Sequence, residues 1–90
     1  MTKSDIIKRI SEETGLDRSV AARAVELMLT SIKDALSSGE AVHLRGFGTF
    51  QRKTRAAKPG RDIRKGITVE IPRHDVPHFR PSPSLSDLLK

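Results

Sequence analysis

The most informative part of the chain is the stretch from Gly46 to Pro72, GFGTFQRKTRAAKPGRDIRKGITVEIP. Its middle, Gln51 to Lys65, contains seven basic residues and a single acid, Asp62, so its local charge is +6. The whole 90-residue chain has the same formal net charge, +6 at pH 7. The excess positive charge is therefore concentrated in one segment, as expected of a surface that binds a polyanion.

The residues on either side of this basic segment have the pattern of β-strands. Two strand-like runs come at the start of the basic segment, Val42 to Arg45 before it and Thr49 to Thr54 across its first residues. The alternating run Ile67 to Ile71 follows the segment. Lys58 to Gly60 carries turn and breaker signals. We therefore predict a long antiparallel β-ribbon, the arm, over about residues 52–72. Such a ribbon is marginal alone in water and fits into a DNA groove.

The composition describes a small, basic chain without cysteine. Ninety residues form one domain, residues 1–90, and a projecting arm leaves it only a small core. Because the chain has no cysteine, a disulfide or a cysteine-based metal site is excluded. We expect a partner chain to complete the core.

The sequence contains neither a long apolar run nor the apolar stretch of a signal peptide. We therefore expect a soluble, cytoplasmic protein that does not enter membranes. The basic balance suits a nucleic acid, but it also suits an anionic membrane surface or an acidic protein, and charge alone does not separate these partners.

Two helices are predicted at the start of the chain. Thr2 and Asp5 have capping-box spacing, which begins a helix from about Lys3 to Thr14, before Gly15. A second helix follows from about Arg18 to Ser38 and ends at Gly39.

The apolar face of the second helix is wider than one short helix covers. Val20, Leu27 and Leu29 lie beside the main stripe. A symmetric dimer would cover this surplus face; the alternative is that the sheet covers it within one chain. The predicted dimer core consists of Met28, Ile32, Leu36, Leu44, Phe47, Phe50 and Phe79.

The C-terminal part returns to the core and ends in a short helix. Val76 to Phe79 is predicted as a short edge strand, in which Pro77 is tolerated. Ser82 to Ser84 begins a helix whose apolar residues are Leu85, Leu88 and Leu89. The predicted parts are a helical dimerisation part, 1–39, a sheet with the arm, 40–81, and a C-terminal helix, 82–90.

The residues of catalytic and metal sites are missing. The three histidines, His43, His74 and His78, lack partners at ligand spacing, and the hydroxyl side chains lack a recognisable base. Gly46-Phe47-Gly48 lacks the remaining residues of a phosphate-binding loop. We predict no enzyme activity, no cofactor, no metal and no small-molecule substrate.

The combination of motifs resembles the HU and integration host factor family of bacterial DNA-bending proteins. The matching segments are Gly46 to Phe50, Arg55 to Arg61, Gly66 and Val76 to Pro81, together with the two-helix start. The resemblance extends over the whole chain. It implies an α+β fold: an intertwined dimer with a helical base, a saddle-shaped antiparallel sheet, two arms that follow the minor groove, and a short C-terminal helix.

The resemblance also implies which residues contact DNA. Where the family has a proline that intercalates at the arm tip, this chain has Ile63, which is the predicted wedge. Two family lysines near the C-terminus are absent, so Ser82 and Ser84 are the candidates there, and we expect a shorter footprint. The predicted DNA-binding residues are Lys3, Arg45, Arg52, Lys53, Arg55, Lys58, Arg61, Ile63, Arg64, Lys65, Arg80, Ser82 and Ser84.

The residues and the resemblance together predict a homodimeric, nucleoid-associated protein that binds, bends and compacts double-stranded DNA. Gln51 is the only amide side chain in the chain, so base-specific contacts are few and low sequence specificity is expected. Three alternatives remain: a sequence-selective subunit of the integration host factor type, a heterodimer with a paralogue, and a basic protein that binds structured RNA or an acidic partner.

Overall fold

The computed structural model describes residues 1–62 and 67–90, and for residues 58–62 and 67–70 it describes the backbone alone. The order of elements is α1 (Lys3–Thr14), α2 (Arg18–Ser37), β1 (Val42–Leu44), β2 (Gly48–Arg55), β3 (Lys58–Asp62), β4 (Ile67–Ile71), β5 (His74–Pro81) and α3 (Pro83–Leu88). The predicted α+β class is confirmed. Within the described ranges, no helix has the length and apolarity needed to cross a membrane.

Helix α1 begins with the predicted capping box. The Asp5 N–H donates to Thr2 Oγ1 at 3.3 Å, and the Thr2 N–H donates to Asp5 Oδ2 at 2.8 Å. These hydrogen bonds to Thr2, the backbone one first, lower the pKa of Asp5. The helix ends at Gly15, whose N–H donates to the Ser11 carbonyl at 3.0 Å. Both ends of α1 therefore lie where the sequence places them.

The first compact unit of the chain, Met1–Asp34, has little interior of its own. Among the side chains that the structure describes, Ala21 is the only fully buried apolar one. Leu27 and Met28 on α2 are 55% and 52% exposed. Large apolar side chains rarely form an exposed face on a stable monomer, so this face of α2 requires a covering surface.

The second compact unit, Ala35–Lys90, is built on a three-stranded antiparallel sheet of order β1-β2-β5. Strand β1 pairs with β2 from Val42↔Phe50 to Leu44↔Gly48, and β2 pairs with β5 from Gly48↔Pro81 to Arg55↔His74. One face of this sheet carries Phe50 and its cross-strand partner Phe79, with ring centroids 4.8 Å apart. This aromatic face is the apolar side of the sheet.

Gly48 is required by a close approach inside this sheet. A Cβ at this position would lie 2.6 Å from the Phe79 ring and 2.7 Å from the Arg80 carbonyl oxygen. Two glycines this close together, Gly46 and Gly48, are typical of a tight turn between strands, but of the two only Gly46 has a positive φ, 80°. Gly48 lies in strand β2, where its missing side chain leaves room for Phe79.

The arm differs in two ways from the prediction. Strand β5 covers His74–Pro81 and not only Val76 to Phe79, so the three-stranded sheet extends as far as the pair Arg55↔His74. The two-stranded ribbon is formed by β3 and β4, from Lys58↔Ile71 to Asp62↔Ile67. The arm therefore begins after Arg55 rather than near residue 52.

Pro59 and Gly60 are typical of a turn, but in the structure both residues lie inside strand β3. Proline removes a backbone donor, which a central strand needs but a strand with a single neighbour does not. Strand β3 pairs only with β4 in the described part of the chain, so Pro59 is compatible with it.

Helix α3 is shorter than the predicted segment 82–90 and spans Pro83–Leu88. Ser82 is its N-cap, because Ser82 Oγ accepts a hydrogen bond from the Leu85 N–H at 3.2 Å, and Pro83 occupies the first turn. Leu85 is half-buried, whereas Leu88 and Leu89 are exposed. Of the three leucines assigned to the buried face, only Leu85 is covered within the chain.

Candidate nucleic-acid interface

The three-stranded sheet presents a basic face opposite its aromatic face. Side chains alternate along a strand, so Lys53 and Arg55 of β2 lie on the side away from Phe50. Arg80 of β5 pairs with Thr49 and lies on the same side. All three cations are exposed. We call Lys53, Arg55 and Arg80 the basic face.

The basic face leads directly into the arm. Arg55 and His74 form the last pair of the three-stranded sheet, and Lys58 and Ile71 form the first pair of the ribbon. Along the chain, the cations of the sheet are therefore followed by those of the ribbon sequence, beginning with Lys58. A polyanion that lies on the basic face would meet the base of the arm next.

A groove of about 470 Å³ lies at the other end of the sheet, beside the β1–β2 turn. Arg45 and Arg80 contribute the cations of its lining, and His43, Thr49 and Ser82 contribute further polar groups. His43 Nδ1 lies 3.0 Å from Thr49 Oγ1, which fixes the imidazole across the two strands. The groove shares Arg80 with the basic face and extends the surface to which an anionic group would be attracted.

Ser82 and Ser84 are engaged within the chain at the edge of this groove. Besides capping α3, Ser82 Oγ lies 3.1 Å from Ser84 Oγ. Ser84 Oγ donates to the Gly46 carbonyl at 3.2 Å, and the Ser82 N–H donates to the Phe47 carbonyl at 2.9 Å. The two serines connect the start of α3 to the β1–β2 turn, and their contact with DNA stays a prediction.

Arg52 is placed apart from the other predicted DNA-binding cations. It lies on the side of β2 that carries Phe50, since the two residues are two positions apart. Its Nε donates to the Leu36 carbonyl and its Nη2 to the Ser37 carbonyl, both at 2.8 Å, and its Nη1 lies 3.4 Å from Asp75 Oδ2. All three guanidinium nitrogens are therefore engaged within the chain.

Lys3 forms an ion pair with Glu26 in the Met1–Asp34 unit. The hydrogen bond from Lys3 and its positive charge lower the pKa of Glu26. Both side chains are about half exposed, so the pair is open to solvent and to competing anions. The predicted contact of Lys3 with DNA is not tested by this geometry.

The remaining arm residues are described only in part. Lys58 and Arg61 lie in β3, of which the backbone is described. Ile63, Arg64 and Lys65 lie outside the described residues. Their predicted roles stay predictions.

The structure adds residues that the sequence interpretation left out. His74 and His78 pair with Arg55 and Gln51 and so lie on the side of the basic face, and Arg73 is an exposed cation next to the arm. The period of two along β5 would have placed both histidines there, had the strand been recognised over its full length. His74 Nδ1 lies 2.9 Å from the Pro72 carbonyl oxygen.

The site has the chemistry of a binding surface. In the described part of the chain, no group of three or more histidine and carboxylate side chains is placed to hold a metal ion. Exposed cations on a strand pair suit the phosphates of a nucleic acid backbone, which are recognised by charge and hydrogen bonds rather than by base identity.

Comparison with known proteins identifies relatives over the full length of the chain. The sequence profile described as "Bacterial DNA-binding protein" matches residues 1–90. The chain is 40% identical over 90 residues to the DNA-binding protein HU of Geobacillus stearothermophilus, covering 100% of both chains. It is 38% identical over 90 residues to HU of Staphylococcus aureus strain COL, again covering 100% of both.

The fold is also found among solved structures. The chain resembles the protein in a cocrystal structure of Anabaena HU with DNA, with a TM-score of 0.94 and 29% sequence identity. This match covers 99% of the present chain and 97% of the other.

Proposed function

Because the chain belongs to the HU family of bacterial DNA-binding proteins, we propose that its basic face and arm hold duplex DNA along the minor groove and bend it. Architectural DNA binding is the function of this family.

The continuity of the basic face with the arm carries this proposal. Lys53 and Arg55 lie on one side of β2, and the ribbon begins three residues beyond Arg55. A flat cationic face continued by a narrow two-stranded ribbon suits a long, regular polyanion that follows both. The Anabaena HU structure of the same fold contains DNA, which supports DNA as this polyanion.

Low sequence specificity follows from the side chains available. The minor groove distinguishes A·T from G·C pairs but hardly their orientation, and amide side chains are the usual readers of adenine. Gln51, the only amide side chain in the chain, is half-buried in β2. We propose that backbone contacts and the deformability of the duplex, rather than base contacts, select the binding site.

The functional unit is proposed to be a homodimer. Proteins of this family form dimers. Leu27 and Met28 are more than half exposed, and Phe47 is 46% exposed, although its ring packs 5.3 Å from that of Phe79. A second copy of the chain would cover these surfaces by symmetry. We place the protein on the bacterial nucleoid, in the cytoplasm, and assign it no enzyme activity.

A competition experiment tests the proposed mode of binding. The purified protein is bound to a labelled B-form duplex and displaced, at matched salt, by unlabelled duplex DNA, duplex RNA of the same sequence, or heparin. We expect duplex DNA to compete best, because the minor groove of A-form RNA is wide and shallow and offers no equivalent path for a ribbon.

Equal displacement by all three competitors would contradict the proposal and favour a general polyanion sink. Preferential displacement by duplex RNA would favour the alternative that the protein binds structured RNA.

A further inference from the structure

Arg52 supplies a positive charge to the end of a helix that has none of its own. The last turn of α2 contains no basic residue. The final carbonyls of a helix have no partner within it, and a cation at that end is stabilised by the helix dipole. Arg52 donates to two of these carbonyls, Leu36 and Ser37, from strand β2. The guanidinium thus caps α2 from another element.

The same guanidinium also reaches the strand next to its own. Its Nη1 lies 3.4 Å from Asp75 Oδ2, and Asp75 Oδ1 accepts a hydrogen bond from Thr54 Oγ1 at 2.7 Å. Thr54 and Asp75 are direct cross-strand partners. One side chain therefore connects the end of α2, strand β2 and strand β5.

This junction lies immediately before the arm. Thr54↔Asp75 is the pair adjacent to Arg55↔His74, which is the last of the three-stranded sheet. Ala56 and Ala57 on one side, and Pro72 and Arg73 on the other, separate that pair from the ribbon strands β3 and β4. Whatever fixes Arg52, Thr54 and Asp75 therefore also fixes the end of the sheet from which the chain passes into the arm.

We propose that Arg52 is a positioning residue that anchors the base of the arm to the end of α2 and does not itself neutralise a DNA phosphate. This proposal rests on the proposed DNA-binding function. It assigns Arg52 a role different from that of Lys53, which is adjacent in sequence but lies on the basic face. Arg52 acts through geometry, whereas Lys53 acts through charge.

The test compares three full-length variants: Arg52→Lys, Arg52→Gln and the control Lys53→Gln. Arg52→Lys keeps the charge but lacks the planar fork that reaches two carbonyls and a carboxylate at once. Amide hydrogen exchange is measured on the free protein, and the affinity for a labelled duplex is measured over a series of salt concentrations. Circular dichroism establishes that each variant is folded.

In the free protein, both Arg52 variants should accelerate exchange about two- to fivefold at Ser38 to Glu40 and at the Arg55 and His74 pair, while Lys53→Gln should not. In DNA binding, Lys53→Gln should reduce the magnitude of the salt slope by about 0.9 for each phosphate that Lys53 neutralises. Both Arg52 variants should weaken binding at every salt concentration with an unchanged slope.

The opposite pattern would overturn the proposal. If Arg52→Gln reduced the salt slope as Lys53→Gln does and Arg52→Lys restored the affinity, Arg52 would be a phosphate contact. If exchange at the end of α2 and at the base of the arm were unchanged in both Arg52 variants, the anchor would not exist. Failure of the wild-type protein to bind the duplex would instead contradict the proposed function, and the exchange data would still decide the anchor.

Discussion

Glu26 shows how one exposed ion pair makes stability depend on pH. Lys3 lowers the pKa of Glu26 below its ordinary value, first through a hydrogen bond and then through its charge. A carboxyl group whose pKa is lowered in the folded state contributes stability above its unfolded pKa. That contribution is lost as the pH falls through the folded pKa.

We therefore expect the melting temperature of the wild type to fall more between about pH 5 and pH 3 than that of Glu26→Gln. The difference should be small because both side chains are about half exposed. Glu12→Gln is the matched control, because it removes the carboxylate of another exposed ion pair. Glu12 Oε1 lies 4.0 Å from Lys8 Nζ on α1. Parallel pH curves for the wild type and Glu26→Gln would show that the Lys3 pair contributes nothing in solution.

Ile63 is the residue whose predicted role depends most on DNA itself. As a wedge, its apolar side chain would enter a base step, and the cost of unstacking, a few kcal/mol, is lowest at a nick. We expect Ile63→Ala to lose bend while it retains most of its affinity, and Ile63→Pro to keep or deepen the bend. The measurement is end-to-end energy transfer on a short nicked duplex at saturating protein.

Identical transfer efficiencies for the wild type, Ile63→Ala and Ile63→Pro would show that Ile63 does not intercalate. The affinities at low salt are the control and should stay similar, because neither substitution changes the charge of the arm.

Individual residues also show where reasoning from sequence reaches its limit. The capping box of Thr2 and Asp5 depends on local spacing alone and was predicted correctly. Arg52 was grouped with the DNA-binding cations because it lies in a basic run. In the structure it lies on the aromatic face, two residues after Phe50, and its contact with DNA stays a prediction. Its helix-capping role depends on the placement of α2, which no local pattern contains.

At the level of the elements, the basic face and the arm should together dominate the salt dependence of binding. A protein that contacts about 6 to 10 phosphates loses roughly three to five orders of magnitude in affinity between 50 and 200 mM salt. Arg55→Ala and Arg61→Ala should each weaken binding and reduce the magnitude of the salt slope. Fluorescence anisotropy titrations at several salt concentrations measure both quantities.

Arg23→Ala is the control for both variants, because it removes the same charge from an exposed position on α2. We expect it to leave the slope nearly unchanged. A slope that is the same for the wild type, Arg55→Ala and Arg61→Ala would mean that these two side chains do not meet phosphates.

The helices were more predictable than the strands for a physical reason. Helix ends are marked by local capping residues, so α1 and the start of α2 were placed correctly. Strand partners are set by contacts distant in sequence, so β2 was not recognised as pairing with β5 over eight residues. Strand β3 forms despite Pro59 and Gly60, because in the described part of the chain it pairs with one neighbour and so tolerates a proline.

For the whole molecule, stability should depend on protein concentration. Leu27 and Met28 are more than half exposed in the single chain, and Ala21 is the only fully buried apolar side chain among those described. If folding and pairing are coupled, mass action raises the melting temperature as the concentration rises. Thermal melts over a wide range of concentration, with light scattering for the mass, test this expectation.

A melting temperature that does not change with concentration, together with a monomer mass, would contradict the dimer. A polar substitution on the exposed face, Leu27→Gln, should lower the melting temperature most at low concentration, whereas Arg23→Gln, on the same helix, should not.

The exposed apolar face of α2 also has a consequence for the life of the chain in the cell. A newly made copy that has not met its partner presents Leu27, Met28 and Phe47 to proteases and chaperones. The rate of pairing rises with the square of the concentration of unpaired chains. When synthesis is slow, a larger fraction of the chains is therefore degraded before it pairs. The amount of assembled protein then rises more steeply than the rate of translation, which makes its abundance sensitive to gene dosage.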